Sequence, residues 1–242
     1  VLQGGEDPKR SDYDMEEIIA EIRRCYPECA ITLSIGEKPS KAYERYFMKG
    51  ANRYLLRHET IDRGHYYCLH PYEMSNERRI KCLHELKRIG YQTGTGIMVG
   101  SPLQTVEYLI EDIRFIESFH PEMIGIGPFI PHQRTPFCDE NPGSVELTLL
   151  LLSIFRLMHP QALIPSTTAL ASLAPDGRVR GILAGANVVM PNLSPIIVRN
   201  KYDLYDQKVA FGAEAAEGLA LLEKQLADVG YHIDYSRGDY ND

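Results

Sequence analysis

Several groups of polar side chains stand where short apolar runs of this sequence end. A carboxylate among them can accept hydrogen bonds from a hydroxyl or an ammonium group, and a guanidinium can hold a carboxylate through two parallel hydrogen bonds. These residue types therefore suit a polar ligand that is anionic or zwitterionic. The groups are Gln3 with Glu6 and Asp7; Thr32 with Ser34 and Glu37; Arg57 with His58 and Glu59; Ser166, Thr167 and Thr168; and Asn192.

The apolar runs that carry these groups alternate with helical patterns. Strand-like runs cover 1–3, 30–35, 53–57, 94–99, 123–128, 163–166 and 186–190. Helices are predicted after the caps Ser11 and Asp12, from about Ser75 to Gly90, after Thr105, and near 39–49, 145–158, 170–183 and 214–229. The apolar positions that indicate three of them are Met15, Ile18, Ile19 and Ile22; Ile80, Leu83, Leu86 and Ile89; and Val106, Leu109, Ile110 and Ile113. Seven strand-then-helix units predict parallel strands joined by crossover helices.

An open doubly wound sheet and a closed barrel both satisfy this alternation. We favour the α/β barrel, because the strands are short and evenly spaced and no GxGxxG sequence follows the first run. One more unit before Val1 would complete a (β/α)8 TIM barrel, so we expect the first part of the barrel to be missing from this chain. We predict one domain over 1–242, a polar tail that frays from about 231, and a site at the carboxyl ends of the strands.

Composition excludes several classes of protein. The chain has 242 residues, of which 44% are hydrophobic and 24% charged, as in an ordinary globular protein. Its formal net charge of −7 argues against a nucleic-acid partner. No apolar run approaches the roughly 18 residues of a membrane helix. Five scattered cysteines do not form a disulfide framework, so we expect a cytoplasmic protein. The chain starts at Val1 without Met, and we expect residues to precede it.

The polar groups near the first three strands also have structural interpretations. Thr32 and Ser34 share one face of a strand, where their hydroxyls could contact a ligand or the backbone. Arg57 and Glu59 project to one side of their strand and His58 to the other. That charged pair could bind a ligand or form a simple ion pair.

For the other groups, too, the residues alone allow both a functional and a structural interpretation. The turn at Gly4 and Gly5 could let the backbone approach a ligand, or could only connect a strand to a helix. The run 166–168 could cradle an anion or cap the next helix. Arg79, beside Arg78, has the pattern of a solvated helix charge.

The strand ends carry a family signature. In order they read VLQGGED, TLSIGE, RYLLRHET, GTGIMVG, GIGPFIPH, IPSTTAL and GANVVMPN. These strings strongly resemble the radical S-adenosylmethionine (SAM) maturases of FeFe-hydrogenase, in the biotin-synthase-like branch of radical SAM enzymes. The resemblance runs from Val1 to about Tyr205 and implies a complete (β/α)8 barrel.

The resemblance also implies cofactors and a reaction. Family members bind SAM and a 4Fe-4S cluster held by a CxxxCxxC loop, which we expect upstream of VLQGGED. Cys25 and Cys29 do not replace that loop, because no third cysteine follows, and no cysteine after Cys138 could hold a second cluster. A 5′-deoxyadenosyl radical would act on a cysteine-bound iron carbonyl cyanide intermediate made by a partner maturase. This chain alone would be inactive without cluster ligands.

The family pattern divides the site residues into two sets. The residues expected to contact SAM are Gln3, Gly4, Gly5, Thr32, Ser34, Glu59 and Arg79. Those expected to face the substrate are Arg57, Thr167, Thr168, Met190 and Tyr205. His58 and Arg78 are expected to be structural and at the surface, respectively.

Two alternatives stay open. The first is another biotin-synthase-like radical SAM enzyme, such as a methylornithine synthase, with the same SAM site and a different substrate pocket. The second is a cluster-free, anion-binding (β/α)8 lyase or isomerase. A CxxxCxxC sequence within about fifty residues before Val1 would exclude the second.

Overall fold

The computed structural model describes residues 1–6, 11–190 and 215–240. The chain falls into two compact units. Unit 1 comprises Val1–Ile97, Thr105–Gly125 and Ser236–Asp242, and unit 2 comprises Met98–Gln104 and Ile126–Tyr235. Our prediction of one domain over 1–242 stays a prediction, and each unit is described by itself.

Parallel strands form the frame of both units. The strands are β1 (Leu2–Gln3), β2 (Thr32–Ser34), β3 (Arg53–Leu55), β4 (Gln92–Thr95), β5 (Met98–Val99), β6 (Met123–Ile124) and β7 (Gly127–Pro128). In unit 1 the sheet order is β1-β2-β3-β4-β6, and in unit 2 β5 pairs with β7. Every one of these pairings is parallel, as predicted.

The helices follow the strands as the sequence predicts. They are α1 (Asp12–Cys25), α2 (Ser40–Met48), α3 (Arg63–Leu69), α4 (Asn76–Ile89), α5 (Val106–Phe119), α6 (Val145–Met158), α7 (Thr168–Leu173), α8 (Gly177–Leu183) and α9 (Ala215–Ala227). The hydroxyls of Ser11, Ser75 and Thr105 cap α1, α4 and α5. Gly90 ends α4 with a φ of 107°, the left-handed conformation that glycine adopts without strain.

The structure differs from the predicted elements in several places. The predicted helix 170–183 is two helices, because Pro175 stands between α7 and α8 and cannot continue α7. Helix α3 was not predicted. The runs 94–99 and 123–128 are each two strands, interrupted at Gly96 and Gly125. The runs 163–166 and 186–190 form only a single parallel bridge between Pro165 and Val188.

A layer of tyrosines fills the core of unit 1 between the sheet and helices α2 and α4. Tyr43, Tyr54 and Tyr91 pack edge to face, with ring centroids 5.1 and 5.8 Å apart along the series. Their hydroxyls still have partners: Tyr54 donates to the Gly36 carbonyl at 2.7 Å and Tyr91 to the Tyr43 carbonyl at 2.8 Å. These bonds let polar aromatic residues replace aliphatic ones in the core.

Some apolar positions of the predicted helices lie outside the core. Ile18, Val106 and Ile110 are exposed, although their spacing indicated a buried face. Met15 and Ile19 of α1 and Leu109 of α5 are buried as expected. The spacing of apolar residues therefore predicted each helix correctly. It also predicted more buried positions on each helix than the structure shows.

No helix in the described part of the chain has both the length and the apolar character to cross a membrane.

The end of the C-terminal tail, which we expected to fray, belongs to unit 1 and contacts β3 of its sheet. Arg53, whose side chain is 10% exposed, donates to the Gly238 carbonyl at 2.7 Å and to an Asp239 carboxylate oxygen at 2.8 Å. Arg53 also donates to the Gln92 side chain at 2.8 Å. A nearly buried guanidinium thus depends on tail residues for two of its partners.

We expect Asp239→Ala to free this tail and to lower the free energy of unfolding by about 1 kcal/mol, since one hydrogen bond to a buried charge is lost while two remain. Limited trypsin digestion at Arg237, together with urea unfolding, would measure both effects. Asp139→Ala, an exposed aspartate of unit 2, is the matched control. A digestion rate at Arg237 equal to that of the control would contradict the anchoring.

Candidate functional site

The carboxyl ends of β1 and β2 meet at one edge of the unit 1 sheet. Gln3 pairs with Ser34, and the Gly4 N–H donates to the Ser34 carbonyl at 2.9 Å. The Gly4 amide is therefore used by the sheet and is not free for a ligand. Gln3, Gly4 and Gly5 are exposed, whereas Thr32 is 9% exposed.

The next strand end along this edge contains a bulge. Leu55 of β3 pairs with Gly94, 39 positions later, but Glu59 pairs with Ile97, 38 positions later. One extra residue therefore lies on the β3 side, and such bulges re-aim side chains. Glu59 adopts a left-handed φ of 65°, which costs a non-glycine residue about 1–2 kcal/mol. Its N–H donates to the Gly96 carbonyl at 3.1 Å.

The bulge leaves one carboxylate oxygen of Glu59 without a partner. Oε1 pairs with Nε of Arg57 at 3.0 Å, whereas Oε2 is buried and accepts no hydrogen bond from any residue that the structure describes. The Glu59 side chain is 13% exposed and that of Arg57 36%. The two side chains lie on the same side, as predicted, and form the ion pair that was one of the two interpretations. The unsatisfied oxygen is an acceptor for a ligand hydroxyl or ammonium group.

A second charged cluster joins the segments that follow β1 and β2. Arg79 of α4 pairs with Glu6 through Nη2 at 2.8 Å and with Glu37 through Nε at 2.9 Å. The side chains of Arg79 and Glu37 are 8% and 5% exposed, and that of Glu6 is 39% exposed. Arg78 is exposed, as expected, and also reaches Glu37 at 3.0 Å. Glu6 is the more accessible of the two carboxylates that pair with Arg79. A ligand carboxylate that binds Arg79 would therefore come next to the Glu6 carboxylate.

Burial shapes the electrostatics of this cluster. It raises the pKa of Glu37 above its ordinary value, although the positive charge of Arg79 opposes the shift. Burial also works to lower the pKa of Arg79, yet interactions with its neighbours outweigh burial and hold that pKa above its ordinary value. Arg79 therefore stays a cation at any physiological pH.

Helix α3, which the sequence analysis missed, and the residue that follows it each add an aromatic side chain. The rings of Tyr66 and His70 stack 4.0 Å apart at an angle of 11°. Burial lowers the pKa of His70, against the opposing influence of a hydrogen bond to the backbone of Tyr66 and of the Glu59 charge. The segment RGHYYCL has no apolar spacing that would indicate a helix; the only local signal is Asp62, whose carboxylate caps α3.

The threonines expected to face the substrate lie in unit 2. Ser166 is occupied, since it donates to the Arg178 carbonyl at 2.9 Å. Thr167 stands at the N-cap position of α7, but its side chain makes no capping bond, and its Oγ1 is buried without a partner. The helix-cap interpretation therefore does not account for that hydroxyl. Thr168 begins α7 and is half-buried.

Of three further predicted positions, the described residues include only Met190. Met190 is 44% exposed and ends the described segment. Tyr205 and Asn192 lie outside the described residues. In unit 1 the structure brings Gln3, Ser34, Arg57 and Glu59 to the carboxyl ends of neighbouring parallel strands, whereas Thr32 begins β2 and Arg79 lies on α4, where it pairs with Glu6 and Glu37. Their roles as SAM or substrate contacts stay predictions.

The described residues at this edge fit SAM, and those of the described chain do not form a cluster-binding site. An unsatisfied buried carboxylate, a buried cation and strand-end hydroxyls suit the hydroxyl, ammonium and carboxylate groups of SAM. In the described part of the chain, no group of three or more His, Cys, Asp or Glu side chains is placed to hold a metal ion. Cys25 and Cys29 are exposed, and Cys25 is the last residue of α1, before β2 begins.

Comparison with known proteins extends this description. No family model matches the chain. It is 44% identical over 209 residues to the [FeFe] hydrogenase maturase subunit HydE of Thermotoga maritima, covering 86% of this chain and 59% of that protein. It is 33% identical over 147 residues to the 3-methylornithine synthase of Methanosarcina barkeri, covering 61% of this chain and 41% of that protein. The chain thus spans about half the length of these relatives.

Solved structures share the fold. The crystal structure of a methylornithine synthase matches 92% of this chain and 64% of its own with a TM-score of 0.76 at 24% identity. The maturase HydG from Carboxydothermus hydrogenoformans matches 92% of this chain and 53% of its own with a TM-score of 0.64 at 18% identity. These likenesses concern the fold alone.

The parallel α/β architecture is that of a partial (β/α)8 barrel, a fold shared with the solved methylornithine synthase. Over 86% of its length, this chain is similar in sequence to the hydrogenase maturase subunit HydE.

Proposed function

We propose that this chain is the SAM-binding and substrate-facing part of a radical SAM maturase that helps to assemble the catalytic cluster of FeFe-hydrogenase. The observation that carries the proposal is the 44% identity to HydE over 86% of the chain. Within the chain, the buried, unsatisfied Oε2 of Glu59 supports a SAM site at the sheet edge.

The proposed division of labour follows from the side chains. Glu59 accepts hydrogen bonds from SAM, and Arg79 attracts its carboxylate while Glu37 keeps the guanidinium in place. Thr32, Ser34 and the turn at Gly4 and Gly5 line the same edge. A reduced 4Fe-4S cluster and SAM bound together would supply the radical chemistry of the proposed reaction. The chain's own residues bind and orient the reactants and exclude water.

We expect Glu59→Gln to weaken SAM binding by about ten- to a hundredfold. The amide keeps the volume of the side chain, but removes a charge-assisted hydrogen bond of about 1.5–3 kcal/mol. Anaerobic calorimetric titration of the intact, cluster-loaded protein with SAM would measure this loss. Glu111→Gln, an exposed glutamate on α5, is the matched control.

A dissociation constant for Glu59→Gln within twofold of the control would remove Glu59 from the SAM site. Arg79→Ala should also weaken SAM binding, but it is a less clean test. It leaves the buried Glu37 carboxylate without its main partner, and breaking such a pair costs about 3–5 kcal/mol of stability. Urea unfolding of Arg79→Ala must therefore accompany its SAM titration.

We further propose that the substrate is a cysteine-bound iron carbonyl cyanide intermediate delivered by another maturase. The family resemblance is the support for this substrate. A second candidate is a 3-methylornithine synthase activity, favoured by the 33% identity to that enzyme. Two incubations of the intact protein with SAM and a reductant distinguish these activities. One contains lysine, and the other is a cell-free hydrogenase maturation mixture. 3-Methylornithine formation without hydrogenase activation would overturn the maturase proposal.

A further inference from the structure

A fully buried polar network lies behind the Glu59 bulge. The ring of His58 hydrogen-bonds Thr95 Oγ1 through Nδ1 at 2.8 Å, and its Nε2 faces Asp112 Oδ1 at 3.4 Å without forming a hydrogen bond. All three residues are 0% exposed. His58 comes from the end of β3, Thr95 from β4 and Asp112 from α5. Buried polar groups are costly unless paired, so three in one place call for an explanation beyond packing.

The network fixes the backbone on both sides of Glu59. His58 is the residue before it, and Thr95 precedes Gly96, whose carbonyl accepts the Glu59 N–H. Asp112 Oδ1 also accepts the Ile61 N–H at 2.6 Å. Hydrogen bonds therefore hold this segment at three points: the His58 ring bonds Thr95, the Glu59 N–H bonds Gly96, and the Ile61 N–H bonds Asp112.

A second helix adds to this hold. The Asn76 side chain, 4% exposed, donates to the Thr60 carbonyl at 2.8 Å. Asn76 is the first residue of α4, and Arg79 follows it one turn later. The turn that presents Glu59 is thereby fixed relative to the helix that presents the buried guanidinium.

We infer that the His58, Thr95 and Asp112 network positions Glu59 for SAM, by holding the bulge in the left-handed conformation that leaves Oε2 buried and unsatisfied. The inference rests on the proposed SAM site. A left-handed glutamate costs free energy and persists only where its surroundings impose it. None of the three residues needs to touch SAM, so they are positioning residues that act through Glu59.

Two threonines on one strand allow a matched test. Thr95 and Thr93 are both on β4, two positions apart, and both 0% exposed. The Thr93 hydroxyl donates only to the Tyr91 carbonyl of its own chain segment, at 3.1 Å. Valine has nearly the shape of threonine, so Thr93→Val and Thr95→Val each remove one buried hydroxyl and differ in whether His58 loses a partner.

We expect Thr95→Val to weaken SAM binding about five- to tenfold, and Thr93→Val by less than twofold, at comparable losses in urea midpoint. Thr95→Ser, which keeps the hydroxyl, should restore the affinity. Asp112→Asn, which keeps an acceptor for Ile61 and loses the charge that faces His58, should fall between the two valine variants. Each is measured by anaerobic SAM titration of the intact, cluster-loaded protein.

The deciding measurement is a double-mutant cycle with Glu59→Gln. If Thr95 acts through Glu59, adding Thr95→Val to Glu59→Gln should weaken SAM binding no further. An additive loss, or equal losses for Thr93→Val and Thr95→Val, would overturn the positioning role. Unaltered SAM binding in Glu59→Gln itself would instead overturn the proposed SAM site, so the two failures are distinguishable.

Discussion

Replacing Arg57 with alanine should abolish hydrogenase maturation while the dissociation constant for SAM stays within about fivefold of the original, because a partly exposed ion pair contributes only about 0–1 kcal/mol. Arg57 is 36% exposed and pairs with the Oε1 atom of Glu59. Oε2, the oxygen assigned to SAM, accepts no hydrogen bond from Arg57. The loss of Arg57 therefore removes a cation at the expected substrate end of the site more than it disturbs the cofactor.

The double variant Thr167→Val, Thr168→Val should have the same phenotype. The Thr167 hydroxyl is buried without a partner, so its replacement by a methyl group removes an unsatisfied polar atom. We expect the stability of this variant to stay equal or to rise slightly, which would exclude unfolding as the cause of lost maturation.

Anaerobic SAM titration, urea unfolding and a cell-free maturation assay on both variants would measure these effects. Thr148→Val is the matched control in unit 2, since it removes a buried hydroxyl that donates to the Ser144 carbonyl at 2.8 Å. Two results together would contradict a separate substrate pocket. Arg57→Ala would weaken SAM binding as severely as Glu59→Gln, and the double threonine variant would still support normal hydrogenase maturation.

The strands and helices that position the site could be predicted from the sequence, because they follow from local patterns. Strand-then-helix alternation requires parallel strands, and parallel neighbours bring their carboxyl ends to one edge. The capping residues Ser11, Ser75 and Thr105 and the terminal Gly90 marked helix ends that the structure confirms. These signals depend only on residues within a turn or two of each other.

The bulge at Glu59 could not be predicted in this way. Alternation along 53–57 gave the correct side for Arg57 and Glu59, but the extra residue depends on Asp112 and Thr95, which lie far along the chain. The same holds for Arg79. Its helix was predicted, whereas its burial between Glu6 and Glu37 depends on two other segments. On the residues alone it has the pattern of a solvated charge, and only the family resemblance selected it.

Gly96→Ala should lower the free energy of unfolding by about 3 kcal/mol or more, at the upper end of what overpacking costs. A Cβ at Gly96 would lie 1.9 Å from the carbonyl oxygen of Gly125 and 2.7 Å from its carbonyl carbon. These are backbone atoms of the neighbouring strand segment, so no side chain can rotate away. The segments that follow β4 and β6 would have to separate.

The expected damage reaches the site as well as the fold. Gly96 supplies the carbonyl that accepts the Glu59 N–H, and Gly125 donates its own N–H to the Thr95 carbonyl at 2.8 Å. Separating these segments would therefore disturb two backbone hydrogen bonds near the bulge, the one from Glu59 to Gly96 and the one from Gly125 to Thr95. Any Gly96→Ala protein that still folds should bind SAM more weakly than Thr95→Val, because it loses the backbone bond in addition to the side-chain network.

Urea unfolding of the intact protein would measure the stability loss, with Gly5→Ala as the control for stability alone. A Cβ at Gly5 meets no atom within 4 Å, so its free energy of unfolding should change little. Equal unfolding midpoints for the two alanine variants would mean that the strands are not packed as closely at Gly96 as described. The close approach that interrupts β4 and holds Glu59 would then not exist, and the positioning of Glu59 would lose its backbone support.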